Sequence, residues 1–194
     1  MENPFVLRPY EGVEFFCDRE KETREIIDDL KNGVNVTLIS PRRYGKTGLI
    51  YRVFDELTQT NSSFTLCYCD IYSADGLDSF VKLLSESILA NLKTEPILKK
   101  FFSFFSGIRP LVSYDPISGS PQVSIIYQNE GQKLSTLKSI FDFLGSQKKK
   151  FVVAFDEFQI IRTFKGVNME ALLRTYIQPL KNVRFVFCGS QKHI

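Results

Sequence analysis

Residues 34–50 read VNVTLISPRRYGKTGLI, and this stretch decides the fold. Val34, Val36, Leu38 and Ile39 make a short apolar run, the pattern of a strand covered on both faces. The loop Ser40-Pro41-Arg42-Arg43-Tyr44-Gly45-Lys46-Thr47 matches the phosphate-binding pattern G-x-x-x-x-G-K-[ST] at every defined position but the first. Leu49, Ile50, Val53, Phe54 and Leu57 then recur at the spacing of an amphipathic helix. A helix N-terminus leaves its first N–H groups unpaired at the positive end of the macrodipole, so a loop opening onto one favours phosphate. Gly45 lets the backbone approach closely, Lys46 supplies a mobile positive charge, and the Thr47 hydroxyl suits Mg²⁺. Ser40 stands where glycine is usual, so the loop must enter with ordinary backbone angles, and Pro41 sets the next φ.

The second informative stretch is FVVAFDE, residues 151–157: an apolar run ending in two carboxylates. A buried parallel strand delivers its C-terminal residues to the crevice where open α/β sheets bind ligands. Asp156 is then the candidate metal ligand and Glu157 the candidate carboxylate for activating water.

Composition bounds the rest. A chain of 194 residues with 43% hydrophobic and 24% charged residues reads as one soluble globular domain, or one domain with an insertion. A net charge of +3 does not argue for nucleic acid. Neither a membrane-spanning run nor a signal-peptide pattern is present, and a cytoplasmic, membrane-free protein is expected. Cys17, Cys67, Cys69 and Cys188 lack zinc-like spacing, with only His193 as a further soft ligand late in the chain, so reduced buried thiols are expected. The eighteen phenylalanines suggest no function.

Around the two motifs, Asp18 is a candidate N-cap for a helix over 19–30, with Ile26, Ile27 and Leu30 inward and Gly33 as its stop. Residues 63–71 alternate as a strand with Cys67 and Cys69 on one face, and 77–92 form a helix. Residues 93–134 break the rhythm. They hold Phe101, Phe102, Phe104 and Phe105, read as core with a partner-binding patch as the alternative. A hairpin follows, with arms near 111–114 and 123–127. Helices over 135–146 and about 169–180 and a strand over 183–188 complete the pattern. Lys148, Lys149 and Lys150 read as favouring a helix C-terminus, not as a nucleic-acid site.

Four segments together resemble the archaeal-type, AAA+-like P-loop ATPases: Phe16-Cys17-Asp18-Arg19-Glu20, the loop 40–47, Asp156-Glu157-Phe158-Gln159, and Phe187-Cys188-Gly189-Ser190-Gln191. The resemblance implies a P-loop NTPase three-layer α/β/α sandwich, its mainly parallel sheet carrying the phosphate-loop strand centrally, with a hairpin-containing insertion at about 94–134. It also implies ATP and Mg²⁺ as ligands and hydrolysis coupled to conformational change. Pro41, Arg42, Arg43, Tyr44, Gly45, Lys46, Thr47 and Gly48 would surround the phosphates, and Asp18 and Arg19 would lie near the adenine. Thr47 and Asp156 would hold the metal; Glu157, Lys46 and Ser190, the last as sensor, would be catalytic. Family members carry a further strand and a C-terminal lid, so this chain is expected to be a truncated piece or an isolated N-terminal domain. Nucleic-acid contact is expected only through a missing C-terminal region. Arg42, Arg43 and Arg174 are candidates for transition-state stabilisation, in cis or across a homo-oligomer interface, with surface salt-bridging the alternative role of Arg42 and Arg43. The rival function is a nucleotide-controlled switch or assembly module using the insertion as docking surface for a protein partner. A small-molecule phosphotransferase is a third reading, disfavoured because Glu157 suits water as the nucleophile.

Overall fold

The computed structural model describes residues 10, 12, 16, 18–60, 63–92, 94–105, 108 and 110–190. Cys17, Gln191 and His193, named above, lie outside them. The sheet holds four parallel strands: β1 (Val36–Ser40), β2 (Phe64–Asp70), β5 (Lys150–Asp156) and β6 (Val183–Ser190), in the order β1-β6-β5-β2. The helices are α1 (Glu20–Asn32), α2 (Lys46–Gln59), α3 (Leu77–Leu89), α4 (Glu95–Ser103), α5 (Glu130–Gly145) and α6 (Met169–Ile177). A separate antiparallel hairpin pairs β3 (Leu111–Tyr114) with β4 (Pro121–Ser124), and a 3-10 helix spans Phe158–Thr163.

Strand alternation divides the core in two. Val152 and Ala154 of β5, Val186 and Cys188 of β6 and Val36 of β1 face α1 and α2, meeting Ile26, Leu30, Leu49, Ile50, Val53 and Leu57. The opposite face is aromatic: Phe155, Phe185 and Phe187 stack with ring centroids 6.0–6.2 Å apart, and Phe80 of α3 lies 5.6 Å from Phe155. Cys67 and Cys69 share this face and are both buried. Burial pushes the Cys67 thiol up to about 12.

The α/β/α sandwich and parallel sheet are as expected, with corrections. The phosphate-loop strand is not central: among the described residues β1 stands at one edge, paired only with β6. Nor is it covered on both faces, since Ile39 is 64% exposed and Val34 lies outside the strand. Asp18 is not the N-cap of α1. Its φ of 48° turns the chain before the helix, and Arg19 takes the cap position, its carbonyl accepting from Thr23 N–H. Gly33 ends α1 as expected, its φ of 93° lying in the left-handed region that glycine tolerates.

Residues 95–103 form a helix that the sequence reading passed over. Pro96 sits in its first turn, where a missing N–H costs nothing. Phe101 and Phe105 are buried and Phe102 and Phe104 half-buried against α5, with Phe101 4.9 Å from Phe143. The cluster is therefore core, not a docking patch. Helix α5 begins at Glu130, five residues earlier than read, because the Asn129 side chain accepts from Gln132 N–H as an N-cap. The second hairpin arm lies at Pro121–Ser124, its Val123 N–H donating to the Glu86 carboxylate at 2.7 Å. Helix α6 stops at Ile177, and β6 runs on to Ser190.

Candidate active site

The carboxyl ends of β5 and β6 meet the N-terminus of α2. Between β1 and α2 the loop makes its left-handed turns at Arg43 (φ 65°) and Gly45 (φ 70°), not at Ser40. Ser40 closes β1 in register with Ser190, so a side chain there is tolerated; its hydroxyl is buried with no hydrogen-bond partner among the described residues. Lys46 is buried, its ammonium donating to the Ser40 and Pro41 carbonyls at 3.0 Å each. The charge is thus folded back over the loop that it would serve. Gly48 is buried in the first turn of α2, whereas Arg42, Arg43 and Tyr44 are exposed.

Asp156 is the hub. Its Oδ2 accepts from Thr47 Oγ1 at 2.6 Å and from Tyr68 OH at 2.8 Å, while Oδ1 accepts from Glu157 N–H at 2.9 Å. The side chain is only 4% exposed, yet three donors satisfy it. Burial, and next the Asp156 charge, push the Tyr68 phenol far up. Tyr51, 4.8 Å from Tyr68 between ring centroids, is raised by burial and then by Asp156 and Asp70. Beneath the loop, burial pushes the Cys188 thiol up, Asp156 adding and Lys46 opposing.

Thr47, Asp156 and Glu157 line an open cleft of about 390 Å³. Arg42, Tyr51, Tyr68, Asp70 and Tyr72 line it with them, the Arg42 guanidinium lying 5.7 Å over the Tyr72 ring. Glu157 has a left-handed backbone (φ 55°, ψ 39°) that swings it off the strand line. Its Oε2 accepts from Gln159 and its Oε1 from Ser190 Oγ at 3.5 Å. Arg19 donates to the Tyr44 carbonyl at 3.1 Å, joining the segment before α1 to the loop, while Asp18 is exposed. Arg174 is exposed on α6 and does not line the cleft.

Tyr51, Tyr68 and Asp70 line the cleft beyond the residues that the sequence motifs point to. Asp70 pairs in register with Asp156, and the signal was present: it ends a buried parallel strand just as Asp156 does. Tyr68, two residues earlier, shares its side of the strand by the period of two.

Magnesium prefers hard oxygen donors and is usually held by one or two carboxylates completed by water and phosphate. A threonine hydroxyl and a carboxylate 2.6 Å apart beside an open cleft fit that preference. Among the described residues no cluster of three or more His, Cys, Asp or Glu forms a protein-only metal cage.

Neither the family models nor the curated proteins match this sequence. Solved structures do. A Walker-type ATPase of Pyrococcus abyssi superposes with a TM-score of 0.59 at 24% identity, over 96% of this chain and 49% of that one. The fold is the α/β/α sandwich of the P-loop NTPase kind. Within it, the ORC2 protein of Aeropyrum pernix, solved in ADPNP–ADP complexes, matches with a TM-score of 0.53 at 16% identity, over 91% of this chain and 42% of its own. The ORC1 protein of the same organism, solved in complex with DNA, gives 0.52 at 15%, over 89% and 39%. This chain therefore spans about half or less of the length of the solved proteins that it matches. Among its described residues no helix is long and apolar enough to cross a membrane.

Proposed function

We propose that this chain binds ATP with Mg²⁺ and hydrolyses it to ADP and phosphate. The observation carrying this reading is the 2.6 Å hydrogen bond from Thr47 to Asp156, which joins a phosphate-binding loop to an acidic strand end across 109 residues of sequence. Residues 1–194 as one nucleotide-binding domain, with an insertion at about 94–134, belong to the same proposal.

The α2 N-terminus and the loop N–H groups bind the phosphates, and Lys46 turns from the Ser40 and Pro41 carbonyls to the β- and γ-phosphate oxygens. Thr47 and Asp156 would hold Mg²⁺, which would supply positive charge to offset that of the phosphate oxygens. Glu157, placed at the cleft by its left-handed backbone, orients a water and accepts its proton as the water attacks the γ-phosphorus. Ser190 steadies Glu157 from β6. Charge develops as the γ-phosphate is attacked, and Arg42, which lines the cleft, is the candidate in cis to stabilise it.

The switch reading loses the Phe101–Phe105 part of its docking surface, which is core, but keeps the hairpin, where Leu111, Tyr114 and Ile117 are exposed. Calorimetry of ATP with and without Mg²⁺, followed by phosphate release in a single turnover, tests the assignment. Absence of Mg²⁺-dependent binding would sink it; binding with very slow release would return the switch to favour.

A further inference from the structure

Gln159, which has no task in the mechanism above, touches both Glu157 and Ser190. It lies on the 3-10 helix directly after the acidic pair. Its Oε1 accepts from the Ser190 backbone N–H at 2.9 Å. A peptide N–H can only donate, so the amide oxygen must face β6 and the NH₂ must face away. On that other side is Glu157 Oε2, to which Gln159 Nε2 donates. Glu157 Oε1 accepts from Ser190 Oγ, closing a ring between the ends of β5 and β6. The fit is close: a Cβ on Gly189 would stand 3.4 Å from Gln159 Oε1.

The backbone supports the same view. Glu157 holds a left-handed conformation that a non-glycine residue keeps only where its surroundings over-determine it. Here the surroundings are the 3-10 turn, closed by Ile160 N–H on the Glu157 carbonyl at 3.0 Å, and the Gln159 amide. Each carboxylate oxygen of Glu157 accepts one bond from this ring and has a second lone pair for water.

The geometry points to Gln159 as the positioning residue for Glu157: it holds the carboxylate in one rotamer and ties it to Ser190. This rests on the role given to Glu157 above. Gln159 does not line the nucleotide cleft, so its effect belongs to turnover and not to nucleotide affinity. A purely structural role, capping the last N–H of β6, makes a different forecast. Gln159→Glu keeps both the size and an acceptor for Ser190 N–H, and only its second oxygen, now aimed at the Glu157 carboxylate, is changed.

The test is single-turnover ATP hydrolysis with nucleotide affinity by calorimetry and thermal melting, on the parent chain, Gln159→Glu, Gln159→Met, Glu157→Gln and the double variant Glu157→Gln/Gln159→Met. Supporting groups of this kind are worth about 10–100-fold, so Gln159→Glu and Gln159→Met should each slow turnover by about that much. Nucleotide affinity should stay within about twofold of the parent. On the Glu157→Gln background, Gln159→Met should cost nothing more, because it acts through a carboxylate already gone. A Gln159→Glu protein as fast as its parent overturns the inference, as do losses that add in the double variant. If Gln159→Met does not fold, Gln159→Glu decides by itself. If instead Glu157→Gln is as fast as the parent, the role of Glu157 has failed, and the inference falls with it for that separate reason.

Discussion

Phe155 and Asp156 are neighbours on β5, yet they live under opposite rules. Phe155 is fully buried, stacked against Phe80, Phe185 and Phe187, in a layer where shape and apolar area do the stabilising. Asp156 is almost as buried, but it survives only because Thr47, Tyr68 and the Glu157 N–H each give it a hydrogen bond. An apolar layer can lose one member and lose stability alone. A polar hub that loses one donor loses the alignment on which chemistry depends. The rigid aromatic layer therefore serves as the floor on which the acidic pair is held out to the cleft.

The sharpest way to break this comparison is Glu157→Gln. General-base groups contribute about 10²–10⁴-fold, so turnover should fall by that factor while ATP binding and the melting temperature stay near the parent's. A variant that keeps its turnover would move catalysis elsewhere. Phe155→Ala should do the reverse, lowering unfolding free energy by about 3–5 kcal/mol in urea titrations while the protein that remains folded still binds ATP. Lys46→Ala comes next: losing one preorganised charged contact should cost about 2.7–4 kcal/mol of transition-state stabilisation, read from kcat/KM. Tyr68→Phe is milder, because Asp156 keeps two donors; about 0.5–1.5 kcal/mol of stability should be lost, with a weakened Mg²⁺ dependence of ATP binding.

The smallest effect at neutral pH concerns the floor itself. Cys67 has an ordinary value of 9.0 and is pushed up to about 12 by burial in the folded chain. Below the unfolded value its contribution is complete. Between about 9 and about 12 the unfolded chain gives up a proton that the folded chain retains, so stability falls as pH rises through this window. Burial pushes Tyr68 in the same direction. Urea midpoints that do not decline above pH ~9 would show that these groups are not protected as described.

How far the molecule was legible in its sequence varied with the range of the forces involved. The α2 stripe, Gly33 as a helix stop, and the inward placement of Cys67 and Cys69 follow from local spacing, which acts over a turn of helix or a pair of strand residues. The start of α5 was equally local but hidden in the Asn129 cap, and α4 was obscured by a proline that its first turn accommodates. The site divided likewise. Lys46, Thr47, Asp156 and Glu157 announce themselves by motif, whereas Tyr51 and Tyr68 are ordinary core letters until the strands are ordered.

By itself the chain's order of residues determined that a turn of the phosphate-loop pattern and an acidic strand end exist, because each needs only its own neighbours. It also determined the parallel α/β class, because strands and helices alternate along the chain. That β6 lies between β1 and β5, that among the described residues β1 is left at an edge with Ile39 exposed, and that Thr47 and Tyr68 converge on one oxygen of Asp156 were decided only in three dimensions. Strand order and such a convergence depend on pairings between segments 32 to 150 residues apart, whose energies come from packing and leave no periodic trace in either segment.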